Sequence, residues 1–284
     1  MREINFVDAL NEALHEEMEN DKKVICLGED VELAYVFGVT KGLKDKFGAG
    51  RVRDTPISEL GFVGAAVGAA MAGYRPVVEI MFMDFIMLAM DPLVSQAAKL
   101  RYMTGGQAKV PLVIRAPVCT GIGMGAQHSQ SLESWFAHVP GLIVIMPSTP
   151  LAAKGLLQSA IRSDNPVIFL ESRHMYSVKG PVPEHDVLLP IGEATVHREG
   201  GDLTFVATGR MVTIALSAAN KLAEQGVEAE VVDPQTLKPL DTDAIVASVK
   251  KTGRLVVVNE GCRTCGIAAE VVALVSQLAF DYLD

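Results

Sequence analysis

Cysteine is scarce: the 284 residues contain four, Cys26, Cys119, Cys262 and Cys265. That is too few for the disulfide framework of small secreted domains, so reduced thiols are expected. Positive charge is also short, with 25 Lys and Arg against 34 Asp and Glu and a net charge of -9. Such a balance provides no basic footprint for a nucleic-acid backbone, so nucleic acid is not an expected partner. No apolar run reaches the ~20 residues that a membrane span requires. The most apolar stretch, Ile80 to Val94, is broken by Asp84, Asp91 and Pro92, and no membrane association is expected. Met1-Arg2-Glu3-Ile4-Asn5 has neither the basic start of a secretory signal nor the acid-poor character of a transit peptide, which points to the cytoplasm. Low-complexity tracts and short-period repeats are missing, which sets solenoids aside.

What is present is a composition of 49% hydrophobic and 21% charged residues, that of a soluble globular protein. At roughly 150 residues per domain the length predicts one large domain or two ordinary ones. Asn5 is positioned to cap a helix in which Phe6, Leu10, Leu14 and Met18 recur every four residues. The run Val24-Ile25-Cys26-Leu27 then ends in Gly28-Glu29-Asp30, the pattern of a buried parallel strand with acids at its carboxyl end. Similar runs at Val77–Phe82, Leu112–Ile114, Leu142–Met146 and Val167–Leu170 alternate with helical stretches. This alternation predicts an α/β fold with a mainly parallel sheet. Pro181, Pro183 and Pro190 mark residues 173–191 as a linker between a first domain, 1–172, and a second, 192–284. The second domain repeats the alternation: strand Leu203–Ala207, helix Val212–Gln225, strand Glu228–Val232, helix Thr242–Lys251, strand Leu255–Val258, helix Ile267–Phe280. The fold class expected is therefore α/β, with two doubly wound domains.

Several residues stand out chemically. Gly61, Gly64 and Gly68 share one face of a predicted helix, and each interior Gly costs about 1 kcal/mol relative to Ala. A bare face of this kind permits close approach of another backbone, from the same chain or a partner subunit. Glu59 opens that helix after Asp54-Thr55-Pro56-Ile57-Ser58. It reads either as a first-turn acid favoured by the helix dipole or as a carboxyl group partly buried by Ile57 and Phe62 and thus suited to proton exchange. His128 lies in Gly121-Ile122-Gly123-Met124-Gly125-Ala126-Gln127-His128-Ser129-Gln130-Ser131, a glycine-rich turn after a strand. Open α/β sheets bind ligands at such strand ends. The spacing is not the G-x-G-x-x-G of dinucleotide folds, and no G-x-S-x-G serine elbow occurs. Cys262-Arg263-Thr264-Cys265 has C-x-x-C spacing, yet no second pair or nearby His completes a zinc set.

Taken together, Gly28-Glu29-Asp30-Val31, Asp54-Thr55-Pro56-Ile57-Ser58-Glu59, Gly73-Tyr74-Arg75-Pro76-Val77-Val78-Glu79, Tyr102-Met103, Gln127-His128-Ser129-Gln130-Ser131, Pro140-Gly141-Leu142 and Lys154-Gly155-Leu156-Leu157 form an ordered set. The set resembles the β subunits of heterotetrameric thiamine-diphosphate-dependent 2-oxo acid and acetoin dehydrogenases. The resemblance runs from Asn5 to the last residue.

It implies a transketolase-type pyrimidine-binding domain followed by a transketolase-type C-terminal domain. Relatives continue beyond Phe280-Asp281-Tyr282-Leu283-Asp284, so that second domain is expected to be truncated. The resemblance also implies that Glu59 hydrogen-bonds the aminopyrimidine ring of thiamine diphosphate and holds its imino tautomer, so that the exocyclic nitrogen removes the thiazolium proton. Met81 and Phe85 match positions lining the aminopyrimidine pocket, Ile57 and Leu60 flank it, and Glu29 belongs to the same cofactor-binding set. His128 matches a histidine expected to act in proton transfer or in acyl transfer to lipoamide, with Tyr102 and Gln127 at the substrate entrance. Leu112, Ala160, Ile161, Ser163 and Asn165 match the region that holds a monovalent cation, K+, although Ser163 stands where Asp is frequent. The Gly-Asp-Gly motif that anchors the diphosphate through Mg2+ does not occur in this sequence. An α subunit supplies it in such enzymes, so the chain is expected to be half of an active site in an α2β2 assembly, serving a lipoyl-bearing acyltransferase core. The alternatives are a split transketolase C-terminal subunit and a non-catalytic assembly subunit.

Overall fold

The computed structural model describes residues 1–34 and 36–284. The chain begins with β1 (Arg2–Asn5), α1 (Phe6–Asn20), β2 (Val24–Gly28), α2 (Leu43–Phe47), β3 (Val52–Asp54), α3 (Glu59–Met71) and β4 (Arg75–Glu79). After a 3-10 turn at Met83–Ala89 and a π-helical stretch at Asp91–Ala97 come α4 (Ala98–Met103), β5 (Val113–Val118), α5 (Glu133–Ala137), β6 (Ile143–Ile145), α6 (Pro150–Arg162) and β7 (Val167–Ser172). The remainder comprises β8 (Lys179–Val182), β9 (Thr195–Arg198), β10 (Leu203–Ala207), α7 (Met211–Ala223), β11 (Ala229–Asp233), β12 (Thr236–Lys238), α8 (Thr242–Thr252), β13 (Leu255–Val258) and α9 (Ile267–Leu278).

These strands build a seven-stranded sheet of order β12-β6-β7-β5-β4-β2-β3 and a four-stranded sheet of order β13-β10-β11-β9. Strands β2 to β7 are parallel in the first sheet, and β10, β11 and β13 in the second. Helices α1 and α6 cover one face of the large sheet, where Phe6, Leu10, Leu14, Leu156 and Leu157 are buried. The other face packs beneath α3, and its core continues without a break through Leu170 to Val206, Val232, Ile245 and Val271 of the second unit. Separating the sheets would expose such side chains at about 1.5–3 kcal/mol each. Helix α7 covers the remaining face of the small sheet through Val212, Ala215 and Ala219. Both sheets are thus wound with helices on two faces, as expected.

The differences from the expected elements have identifiable causes. Asn5 precedes α1 but makes no side-chain cap bond to the backbone; its Nδ2 donates instead to Asp8 Oδ2 at 2.7 Å. Residues 173–191 are not a free connector, since β8 within them pairs antiparallel with β1 and Tyr176 is buried. Strand β4 ends at Glu79, before the expected Phe82, because the chain turns into the 3-10 segment. The short strands β9 and β12 are edge strands running antiparallel to β11 and β6. Finally, the glycine face of α3 meets no neighbouring helix: a side chain at Gly64 or Gly68 would touch nothing, and one at Gly61 would meet only Ser58 of its own turn. Of the two readings of this face, close approach by the same chain or by a partner subunit, the described residues show no intramolecular neighbour.

Candidate active site

The carboxyl ends of β2, β4, β5 and β7 deliver the conspicuous side chains to one end of the large sheet, where parallel sheets hold their ligands. At the end of β2 the chain approaches β4 so closely that a Cβ on Gly28 would sit 2.4 Å from the Glu79 carbonyl oxygen. This position, at φ +156, leaves space only for glycine. Glu29 emerges next. Burial, then Glu59, then Asp30 push its carboxyl above the usual range, and Oε1 is buried with no hydrogen-bond partner among the described residues. Glu59, the first residue of α3, is 6% exposed. An unsatisfied acceptor beside a second buried carboxylate is costly unless a donor arrives. The pair therefore fits a ligand that brings N–H groups, as an aminopyrimidine does.

The other expected members of the pocket divide into two groups. Met81 is buried and Phe85 packs partly against the core. By contrast Ile57, Leu60 and Tyr102 are 85%, 54% and 89% exposed. Ile57 therefore does not bury Glu59, contrary to the expectation from its position, and the rim of the site stands open within this chain.

His128 sits on the loop between β5 and α5, which bends through positive φ at Gly121, Gly123 and Gly125. Its ring lies edge-on against Phe82 and Phe85, with centroids 4.8 and 5.2 Å away and interplanar angles of 82° and 83°. Gln127 beside it is exposed. Phe85, expected as a cofactor contact, is thus brought against His128.

Sequence reasoning missed a buried charge network beneath these residues. Arg115 donates from Nη1 to Glu79 at 2.7 Å, and from Nε and Nη2 to Glu171 at 2.7 and 2.8 Å. Tyr176 Oη donates to Glu171 at 2.6 Å. Burial opposes the Arg115 charge, but Glu171 and Glu79 outweigh it and raise its pKa. Burial likewise pushes Glu79 up, against the pull of Arg115. The available signal was a lone arginine inside the apolar run Val113-Ile114-Arg115-Ala116. A second missed contact ties the loop to the small sheet: Glu133, fully buried, accepts from Ser131 Oγ at 2.7 Å and from Asn259 Nδ2 at 3.1 Å.

The expected cation residues do cluster, yet their oxygens are engaged. The Leu112 carbonyl accepts from Val167 N at 2.8 Å and the Ala160 carbonyl from Ser163 N at 3.2 Å. Arg75 Nη1 reaches the Ile161 and Ser163 carbonyls at 3.0 and 2.9 Å, and Arg101 Nη1 reaches Asn165 Oδ1 at 2.6 Å. A cation there would use only the second lone pairs of these carbonyls. Among the described residues no group of three His, Cys, Asp or Glu could hold a metal ion, and no helix is long and apolar enough to cross a membrane. Cys262 and Cys265 are exposed free thiols.

Comparison with known proteins gives concordant results. Residues 2–179 match the family described as transketolase, pyrimidine binding domain, and residues 192–284 match transketolase, C-terminal domain. The acetoin:2,6-dichlorophenolindophenol oxidoreductase subunit beta of Bacillus subtilis is 47% identical, the alignment covering 100% of this chain and 86% of that protein. The pyruvate dehydrogenase E1 component subunit beta of Rickettsia felis is 48% identical over 99% of this chain and 87% of its own length. The 2-oxoisovalerate dehydrogenase subunit beta of Bacillus subtilis is 45% identical over 100% and 88%. Among solved structures, a split gene transketolase described as an inactive beta4 tetramer superimposes with a TM-score of 0.82 at 25% identity, covering 97% of this chain and 86% of that one.

Proposed function

The chain belongs to the transketolase-like, thiamine-diphosphate-dependent family of pyruvate, acetoin and 2-oxoisovalerate dehydrogenase β subunits, and from that premise we propose that Glu29, Glu59 and His128 form its half of a shared active site. The observation that carries this reading is Glu29 Oε1, buried beside Glu59 and with no partner among the described residues. Glu59 would hold a proton at a ring nitrogen of the aminopyrimidine, and Glu29 would accept from the same ligand. When bound, thiamine diphosphate supplies the electron sink for breaking the bond beside the substrate carbonyl. Met81 would line the ring's pocket. His128 would exchange protons with the reacting substrate or with the acyl acceptor lipoamide, since an imidazole presents a donor and an acceptor nitrogen. Gln127 and Tyr102 would border the path by which these reach the site.

The open rim of Ile57, Leu60 and Tyr102 supports closure by an α subunit carrying Mg2+ and the diphosphate anchor, in an α2β2 assembly. A lipoyl-bearing acyltransferase would be the acyl acceptor's carrier, and the cytoplasm the compartment. The division at 173–191 into two domains belongs to the same reading. A K+ ion would share the Ile161, Ser163 and Asn165 oxygens with the hydrogen bonds of Arg75 and Arg101. Substrate is pyruvate, a branched-chain 2-oxo acid or acetoin.

The test is assembly with a cognate α subunit, thiamine diphosphate and Mg2+, followed by reduction of an artificial electron acceptor with each substrate class in turn. Turnover with one class is expected, and Glu59→Gln should abolish it; full activity in that variant would overturn the reading. A second reading, the C-terminal subunit of a split transketolase, rests on the 0.82 TM-score match. Transfer of a two-carbon unit between sugar phosphates by the same mixture would favour it.

A further inference from the structure

Four consecutive residues of the turn after β4 grip the loop that carries His128. Phe82 and Phe85 flank the imidazole edge-on at 4.8 and 5.2 Å. Between them, the Met83 sulfur accepts from Leu132 N at 3.1 Å. Asp84 Oδ1 accepts twice from Gln130, from its side-chain Nε2 at 2.7 Å and from its backbone N–H at 3.3 Å. Asp84 is buried, and its Oδ2 has no partner among the described residues. Among the described residues, the hydrogen bonding of this carboxylate is therefore directed at one residue, two places along the chain from His128. Upstream, Gly121 to Gln127 are exposed, with three glycines at positive φ. The hydrogen bonds there are local to the loop: Ile122 N to the Cys119 carbonyl at 3.1 Å, Met124 N to Ser129 Oγ at 3.0 Å and His128 N to the Gly125 carbonyl at 3.4 Å.

We propose that Asp84 is a positioning residue, which through Gln130 sets where the His128 imidazole stands. This rests on the function assigned to His128 above. The two Phe rings restrict the tilt of the imidazole, but edge-on apolar contacts do not define how far it projects along the loop. Two hydrogen bonds to Gln130 do, one from its side chain and one from its backbone N–H, because hydrogen bonds are directional. A reacting group displaced by an ångström loses much of its rate. An Asn at this position retains an oxygen able to accept both bonds, whereas an Ala retains none.

The test uses Asp84→Ala, Asp84→Asn and Gln130→Ala in the complete assembly with its α partner, thiamine diphosphate and Mg2+. Two readouts are compared: acyl transfer to lipoamide, and amide hydrogen exchange of residues 126–132. In Asp84→Ala, exchange in this segment should accelerate about tenfold or more while that of β5 and β7 is unchanged, and lipoamide-dependent kcat should fall about tenfold or more, as for a misplaced reacting group. Gln130→Ala should behave in the same direction, and Asp84→Asn should restore both readouts to within about threefold of the parent. Unchanged exchange in Asp84→Ala, accelerated exchange with unchanged kcat, or equal defects in the Ala and Asn variants would each overturn the inference. An inactive parent assembly would instead overturn the functional reading on which it rests, so the two failures are distinct.

Discussion

Arg115 forks onto Glu171 through Nε and Nη2 at 2.7 and 2.8 Å, in a part of the sheet where both side chains are fully buried. Removing one partner of such a pair leaves the other charge uncompensated. Arg115→Leu is therefore expected to lower stability by about 3–5 kcal/mol, because Glu79 and Glu171 lose their counter-ion. Tyr176→Phe removes only one hydrogen bond to Glu171 and should cost about 1–3 kcal/mol. Denaturant unfolding of the three proteins checks both values and their order.

Glu29 gives a pH prediction with a definite sign. Its carboxyl is raised by burial and then by Glu59, so the folded state binds a proton more readily than the unfolded chain does. Stability consequently falls as pH rises from the ordinary carboxylate value through the folded one, and the penalty persists above it. Glu29→Gln should be the more stable protein at pH 7, by about 1 kcal/mol or less given solvent screening. The difference should vanish below about pH 4, where both states of the parent are protonated. Thermal unfolding of both proteins at the two pH values decides this.

The thiols should divide into two classes. Burial, with Glu79 adding to it, pushes the Cys26 thiol up to about 12, and burial pushes Cys119 up to about 11. Both are hidden in the core, while Cys262 and Cys265 are exposed. Since the thiolate is the reactive form, iodoacetamide at pH 8 should label Cys262 and Cys265 within minutes and spare Cys26 and Cys119 until the protein is unfolded. Mass spectrometry of the peptides reads this directly.

Gly141 has φ +101, and a Cβ there would lie 2.1 Å from the Ala98 carbonyl oxygen. Both the backbone conformation and the contact exclude a side chain, so Gly141→Ala should destabilise by about 3 kcal/mol or more. Gly64→Ala serves as the control. Nothing lies within 4 Å of its Cβ and the helix gains propensity, so a stabilisation of up to about 1 kcal/mol is expected. Calorimetry of the two variants shows whether the signs are opposite.

The residues most readily recognised were those whose meaning is local. The apolar run Val24–Leu27, the four-residue repeat Phe6, Leu10, Leu14, Met18, and the strands Leu203–Ala207 and Leu255–Val258 were legible because period and propensity are properties of adjacent positions. Glu59 and His128 were legible because each sits in a distinctive motif at a strand-to-helix junction. The edge strands β9 and β12 were not, since segments of four and three residues acquire strand structure from a distant partner rather than from their own pattern.

By itself, then, the sequence determined the alternation of elements, the doubly wound class and the two titratable residues at the strand ends. Only the tertiary structure decided that Arg115 joins Glu79 to Glu171, that Phe82 and Phe85 hold His128, that β8 returns to β1, and that Ile57 faces outward. Each of these is a contact or an exposure set by chain segments many residues apart. No local periodicity carries that information, because the pairing depends on which elements the shared core brings together.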